Sequence, residues 1–360
     1  MSGQPWRIAI VAGKGGVGKT TSVINIGACL AGLGRRVLVV DCDPQSNLTS
    51  GLGFDPYEKR RTIIDVVAGR CAAQRAIVET ATRGLHLLPA HPDLTAVEAQ
   101  LPTQIGSVLR LRDALEEMEE DSYDAVLFDT PPNFQFHTIS ALAAARYALV
   151  PLQMSAFALR GLKEVLRVLA ASRRSLNAEL ELLGVAPTFV SNTNFSRDLV
   201  DALGQNSAVR VFDTEIPMTV KLQESALHGT PVSVCAPKSS AARGYAALTA
   251  EILVALQDDP GSVRIAAPAP QVELWGLTSR SEPAPAAVHA SAPAGPEPEE
   301  WSPAGTVATA AAVALAEEDE GAHSDDDWRA LLDSVRAVPP PAPRGFRLPF
   351  FGRRQRQGAA

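Results

Sequence analysis

The chain has 360 residues, 46% of them hydrophobic, with a formal net charge of -7. That apolar fraction suffices for a sizeable core, while the acidic balance excludes a protein that coats nucleic acid with its whole surface and leaves room only for a local basic patch. Cys29, Cys42, Cys71 and Cys235 stand far apart with no CxxC pair, against a zinc knuckle or a disulfide framework and in keeping with a reducing cytoplasm. No apolar h-region opens the chain, and no run of about eighteen apolar residues marks a membrane span.

The first apolar run, residues 8–12, reads as a strand, and residues 20–33 carry a helical period. Between them Gly13-Lys14-Gly15-Gly16-Val17-Gly18-Lys19-Thr20 satisfies GxxxxGK[ST] in the strand-to-helix setting that this motif requires. Glycines let backbone N–H groups turn inward around phosphate oxygens. The following helix adds its positive end, Lys19 reaches the β and γ phosphates, and Thr20 offers its hydroxyl to magnesium. The predicted ligand is therefore ATP with Mg2+. The same stretch also fits GxGxxG through Gly13, Gly15 and Gly18, with Asp41 where a dinucleotide fold places its ribose carboxylate. A dinucleotide loop has no need of Lys19 followed by two hydroxyls, which favours the phosphate loop.

Residues 37–40 read as a second strand ending in Asp41-Cys42-Asp43-Pro44-Gln45, and residues 125–128 as another ending in Asp129-Thr130-Pro131-Pro132. Both put carboxylates at the carboxyl edge of a sheet, where α/β folds bind ligands, although strand-end aspartates often only cap the next helix. Residues 85–88, 148–152 and 183–190 complete the strands, and residues 106–118 and 161–176 are further helices. This βαβ rhythm predicts an α/β fold with a doubly wound, mainly parallel sheet of the P-loop type. Composition changes after Asp258, so the expected domains are 1–258, the ATPase, and 259–360, a Pro/Ala-rich acidic tail that reads as disordered. Within that tail 317–320 and 325–327 are acidic, Trp328-Arg329-Ala330-Leu331-Leu332 has the makings of a short helix, and 344–357 is basic and aromatic.

The extra lysine in Lys14-Gly15-Gly16-Val17-Gly18-Lys19-Thr20-Thr21 resembles the deviant Walker A motif of the ParA/MinD ATPases. Asp41-Cys42-Asp43-Pro44-Gln45, Phe128-Asp129-Thr130-Pro131-Pro132 and Ile216-Pro217 through His228-Gly229-Thr230-Pro231-Val232 resemble landmarks of its ParA branch, over roughly residues 6 to 255. The resemblance implies that Gly13 to Thr21 line the nucleotide, that Lys14 crosses to the ATP of a second subunit, and that the homodimer forms only with ATP bound. It implies that Lys19 neutralises the transferred group, that Asp43 orients the attacking water, and that Thr20, Asp43 and Asp129 serve the metal, with Asp41 supporting. Asn192 and Pro217 are expected at the adenine. Lys221 matches one basic position used on DNA, to which Lys238 and Arg243 add a patch, while Met218 stands where chromosomal members often carry arginine.

The activity so implied is slow ATP hydrolysis stimulated by a ParB-like partner, in a cytoplasmic, nucleoid-associated protein that positions a chromosome, plasmid or other cargo through nonspecific DNA binding. The alternative is a MinD-like, membrane-associated role, suggested by the mixture of aromatics and cations at 344–354.

Overall fold

A computed structural model of the chain describes residues 4–94, 106–118, 122–155, 158–190 and 209–258. The expected tail and Asn192 lie outside the described residues. Eight strands form one sheet: β1 (Trp6–Ile10), β2 (Val37–Asp41), β3 (Val78–Glu79), β4 (Leu85–Leu88), β5 (Ala125–Asp129), β6 (Tyr147–Gln153), β7 (Glu181–Val190) and β8 (Ile216–Pro217). Their order is β3-β4-β2-β5-β1-β6-β7-β8, and only the β3–β4 pairing is antiparallel.

Every residue of β2 and β5 is buried, as a parallel strand covered on both faces must be. Side chains alternate across the sheet, so Ala9, Leu38, Val126 and Phe128 enter one core and Ile8, Val37, Val39 and Leu127 the other. The first core is closed by α3 (Ile63–Val67), α4 (Arg110–Glu116), α5 (Phe136–Ala144) and α6 (Ala158–Ser175). The second is closed mainly by α1 (Lys19–Gly32) and α9 (Ser240–Asp258), with α2 (Asn47–Gly51), α7 (Val220–Leu227) and α8 (Val232–Cys235) along its rim.

The expected strands and long helices are present, with shifted ends. β1 begins two residues before the expected 8–12 run because Trp6 is buried and its N–H donates to the Asp124 carbonyl. The 106–118 segment opens with a 3-10 turn, Ser107–Leu109, before α4.

One landmark now has a physical reason. Gly229, at φ 62, lies against Gly53, and a Cβ there would come within 2.5 Å of the Gly53 Cα. The turn after α7 thus docks onto the turn after α2 through two residues without side chains. Gly229→Ala is expected to destabilise the chain by roughly 2 to 4 kcal/mol, from a left-handed backbone plus a backbone clash. Gly34→Ala, at φ 81 but with nothing within 4 Å of the added Cβ, should cost only about 1 kcal/mol. Urea unfolding of the two variants checks the difference.

Candidate functional site

The phosphate loop is tied down from both sides. The Thr130 hydroxyl donates to the Ile10 carbonyl at 2.8 Å, and the Thr188 hydroxyl donates to the Val17 carbonyl at 2.8 Å. Gly18 sits at φ 92 as the residue that caps α1, and no side chain caps the helix there, so its first N–H groups are left for an anion. A Cβ on Gly18 would lie 3.1 Å from the Phe189 ring. Phe189 itself has φ 51, a conformation that a bulky residue rarely adopts.

Lys19 is 7% exposed and donates from Nζ to the Lys14 carbonyl at 3.3 Å. Burial pulls its pKa down, and the charges of Asp129 and Asp43 pull it back up. Lys14 is exposed. The two lysines of one motif therefore differ in kind: one is set into the site and the other faces outward.

Sheet register brings the carboxylates to the same place. Asp129 pairs with Ile10 on one side and with Asp41 on the other, so the ends of β1, β5 and β2 converge on the loop. Asp41 is fully buried. Its Oδ2 accepts from the Thr49 N–H at 2.9 Å and the Thr49 hydroxyl at 2.7 Å, and its Oδ1 accepts from the Asp43 N–H at 3.1 Å. Burial pushes its pKa up to about 7 against these bonds. Asp41 thus fixes the 43-turn and the start of α2, the supporting and capping role. With both oxygens used in a buried pocket it has nothing to offer a ribose, which removes the dinucleotide reading. Asp43 is buried at 6% exposure, and its Oδ1 accepts from the Gln45 N–H at 2.9 Å.

Asp129 is fully buried, and neither oxygen has a hydrogen-bond partner. Burial first, then the neighbouring Asp41, raises its pKa well above the carboxylate range. The nearby Thr20 hydroxyl and Lys19 favour the ionised form without the hydroxyl reaching hydrogen-bond geometry. A buried carboxylate left open beside a threonine hydroxyl and a phosphate loop fits a hard divalent cation. Among the described residues no group of three or more acidic, histidine or cysteine ligands forms a ready cage. That suits magnesium, which takes one or two protein oxygens and completes its shell from phosphates and water.

Pro217 pairs with Val190 at the edge of the sheet and is half-buried, one residue from Phe189 across that pairing. Lys221 and Lys238 line one open groove, and Arg243 donates to the Lys238 carbonyl at 2.7 Å, so the structure brings the three expected cations together. Lys221 is ion-paired with Glu224 at 2.6 Å. Sequence reasoning missed Thr49, whose hydroxyl links Asp41 to the Ala90 N–H. It also missed Phe189 and Glu164, the latter with its carboxylate 3.1 Å from where a Cβ on Gly13 would lie. Nothing local in the sequence marks them.

A family model described as an AAA domain matches residues 6–182. The chromosome partitioning protein ParA of Caulobacter vibrioides is 38% identical over 256 residues, covering 70% of this chain and 96% of that protein. The sporulation initiation inhibitor protein Soj of Bacillus subtilis is 36% identical over 246 residues, covering 68% and 97%. Among solved structures, a Mycobacterium smegmatis protein titled cobyrinic acid a,c-diamide synthase, with bound ATP analog and magnesium, is 34% identical at TM-score 0.62, covering 71% of this chain and 97% of that one. The septum site-determining protein MinD of Pyrococcus horikoshii, complexed with Mg-ADP, is 27% identical at TM-score 0.57, covering 69% and 96%.

Two outcomes follow from the buried carboxylates. Asp129→Asn removes an unpartnered buried acid and should stabilise the ligand-free chain by roughly 1 to 3 kcal/mol while abolishing the magnesium dependence of nucleotide binding, as read by thermal melts with and without Mg2+. The Asp41 carboxyl holds its proton more tightly folded than unfolded, so its contribution to stability is full below its ordinary value of 3.8 and is lost as pH rises through about 7. Asp41→Asn, which keeps an oxygen for Thr49, should flatten that loss by on the order of 2 kcal/mol in denaturant midpoints measured across this range.

Proposed function

The chain belongs to the ParA/MinD family of ATPases, and we propose that it is a nucleotide-switched dimer that positions a chromosome, plasmid or other cytoplasmic cargo through nonspecific DNA binding. The observation that carries this reading is the pairing of an open, buried Asp129 with a loop that has one buried lysine and one exposed lysine.

In this account the inward N–H groups from Gly13 to Gly18 and the first turn of α1, including Thr21, hold the phosphates of ATP, and Lys19 balances charge on the transferred group. Thr20 and Asp129 would hold magnesium, with Asp43 at the same edge, and the bound cation would neutralise charge on the phosphates. Asp43 is held by the Asp41 and Gln45 bonds in position to orient a water on the γ phosphate. Lys14 reaches the nucleotide of a second subunit, where an ammonium in a dry interface interacts far more strongly than in water. Dimerisation and ATP binding become one event, and hydrolysis ends it.

Hydrolysis is slow until a ParB-like or other partner stimulates it, and DNA is held through phosphate contacts of the Lys221, Lys238 and Arg243 patch. Lys221 and Lys238 share one groove and Arg243 is tied to the Lys238 backbone beside it, which supports the DNA reading over scattered solvated charge. Pro217 and Asn192 read the adenine. The MinD-like alternative rests on residues 344–354, which lie outside the described residues; among the described residues no helix is long and apolar enough to cross a membrane.

Size-exclusion chromatography with light scattering, run alongside phosphate release, tests the switch. Lys14→Ala should remain a monomer with ATP and Mg2+. Asp43→Ala should form the ATP dimer and lose turnover by about 100-fold or more. Normal turnover by Asp43→Ala would remove the catalytic assignment.

A further inference from the structure

The groove that gathers the cations is apolar as well as basic. Thr219 and Lys221 at the start of α7 face residues 236–240 at the start of α9 across an open space of about 540 Å3. Beside it Met218 and Val220 are each 65% exposed and Val234 is 54% exposed. Exposed apolar side chains next to a basic groove mark a docking surface, and a DNA backbone alone offers such side chains nothing. The Lys221–Glu224 pair is itself exposed and contributes little, so Lys221 is available to another carboxylate. The occupant that fits is acidic and apolar at once.

This chain carries such a segment. Asp325-Asp326-Asp327 runs directly into Trp328, Leu331, Leu332 and Val335, whose spacing is that of one helix face. Residues 344–354 of the tail are basic and would be repelled by the same lysines, and the apolar run 307–316 before the acidic 317–320 is mostly alanine, with no aromatic side chain to fill the groove. Reach is no obstacle. The 19 residues of α9 run roughly 28 Å from the groove to Asp258, and about 70 residues then precede Trp328, many times the length needed to return.

We propose that residues 325–335 dock in this groove in cis, with the three aspartates against Lys221 and Lys238 and the face of Trp328, Leu331 and Leu332 against Met218, Val220 and Val234. Intramolecular docking needs only modest affinity, because the tether keeps the effective concentration high. Its consequence rests on the DNA reading above: the docked segment occupies the cations that DNA would use, so the tail restrains the switch until a partner or DNA displaces it.

The native thiol of Cys235 is exposed beside the groove, and the sequence after it contains no cysteine. The test uses the full chain carrying Ser334→Cys, oxidised with diamide at low protein concentration without nucleotide, with disulfides mapped by mass spectrometry. A Cys235 bond to the introduced thiol within one chain should form at least about tenfold faster than in a Ser281→Cys control. Position 281 lies nearer to Asp258 along the sequence, so tether length alone predicts the opposite order. Leu331→Asp with Leu332→Asp in the Ser334→Cys chain should lower the rate to the control level. Equal rates at the two positions, or bonds formed only between two chains, would overturn docking in cis. DNA binding by the Leu331→Asp, Leu332→Asp chain separates the two claims. Several-fold tighter binding is expected; an unchanged affinity together with the crosslink keeps the docked tail and removes DNA from this groove.

Discussion

The structure turns on a carboxylate placed where it has no partner. Asp129 ends the strand at the middle of the sheet, wholly out of solvent, with neither oxygen satisfied. Leaving a buried acid in that state costs stability and drives its proton back on. The arrangement persists because the sheet is over-determined: β5 is paired on both sides along its length, and its other residues fill both cores. A divalent cation held there would resolve the conflict, so binding energy at this point would also be energy returned to the fold.

Around Asp129 the remaining acids have separate tasks. Asp41 spends all its bonding on Thr49 and the Asp43 amide, and the turn that presents Asp43 inherits that rigidity. Lys19 is buried and Lys14 is exposed, so one motif carries one charge set into the site and one that faces outward. The likeness to proteins named ParA, Soj and MinD covers 68 to 70% of this chain. After Asp258 the sequence carries the acidic, apolar segment proposed to dock in the groove at the start of α9.

Much of this was legible in the sequence because parallel strands buried on both faces leave unbroken apolar runs, and because the phosphate loop needs its glycines, lysine and hydroxyls in one short stretch. Residues 125–128, apolar throughout, were placed to within one residue for that reason. What stayed hidden depends on register or distance. The task of Asp41 needs Thr49, eight residues away, and Ala90 beyond it. Phe189 adopts a left-handed backbone that no property of phenylalanine announces. The cations at 221, 238 and 243 were visible as charges, but the exposed Met218, Val220 and Val234 beside them became a surface only once α7, α8 and α9 were packed together.

The most direct measurement is co-sedimentation of the full Asp43→Ala chain with ATP and Mg2+, in parallel on plain duplex DNA and on anionic liposomes, with ADP as the control. ATP-dependent retention on DNA that weakens as salt is raised, and none on liposomes, is expected of a nucleotide-switched DNA binder. Retention on liposomes alone, or on DNA equally with ADP, would contradict it.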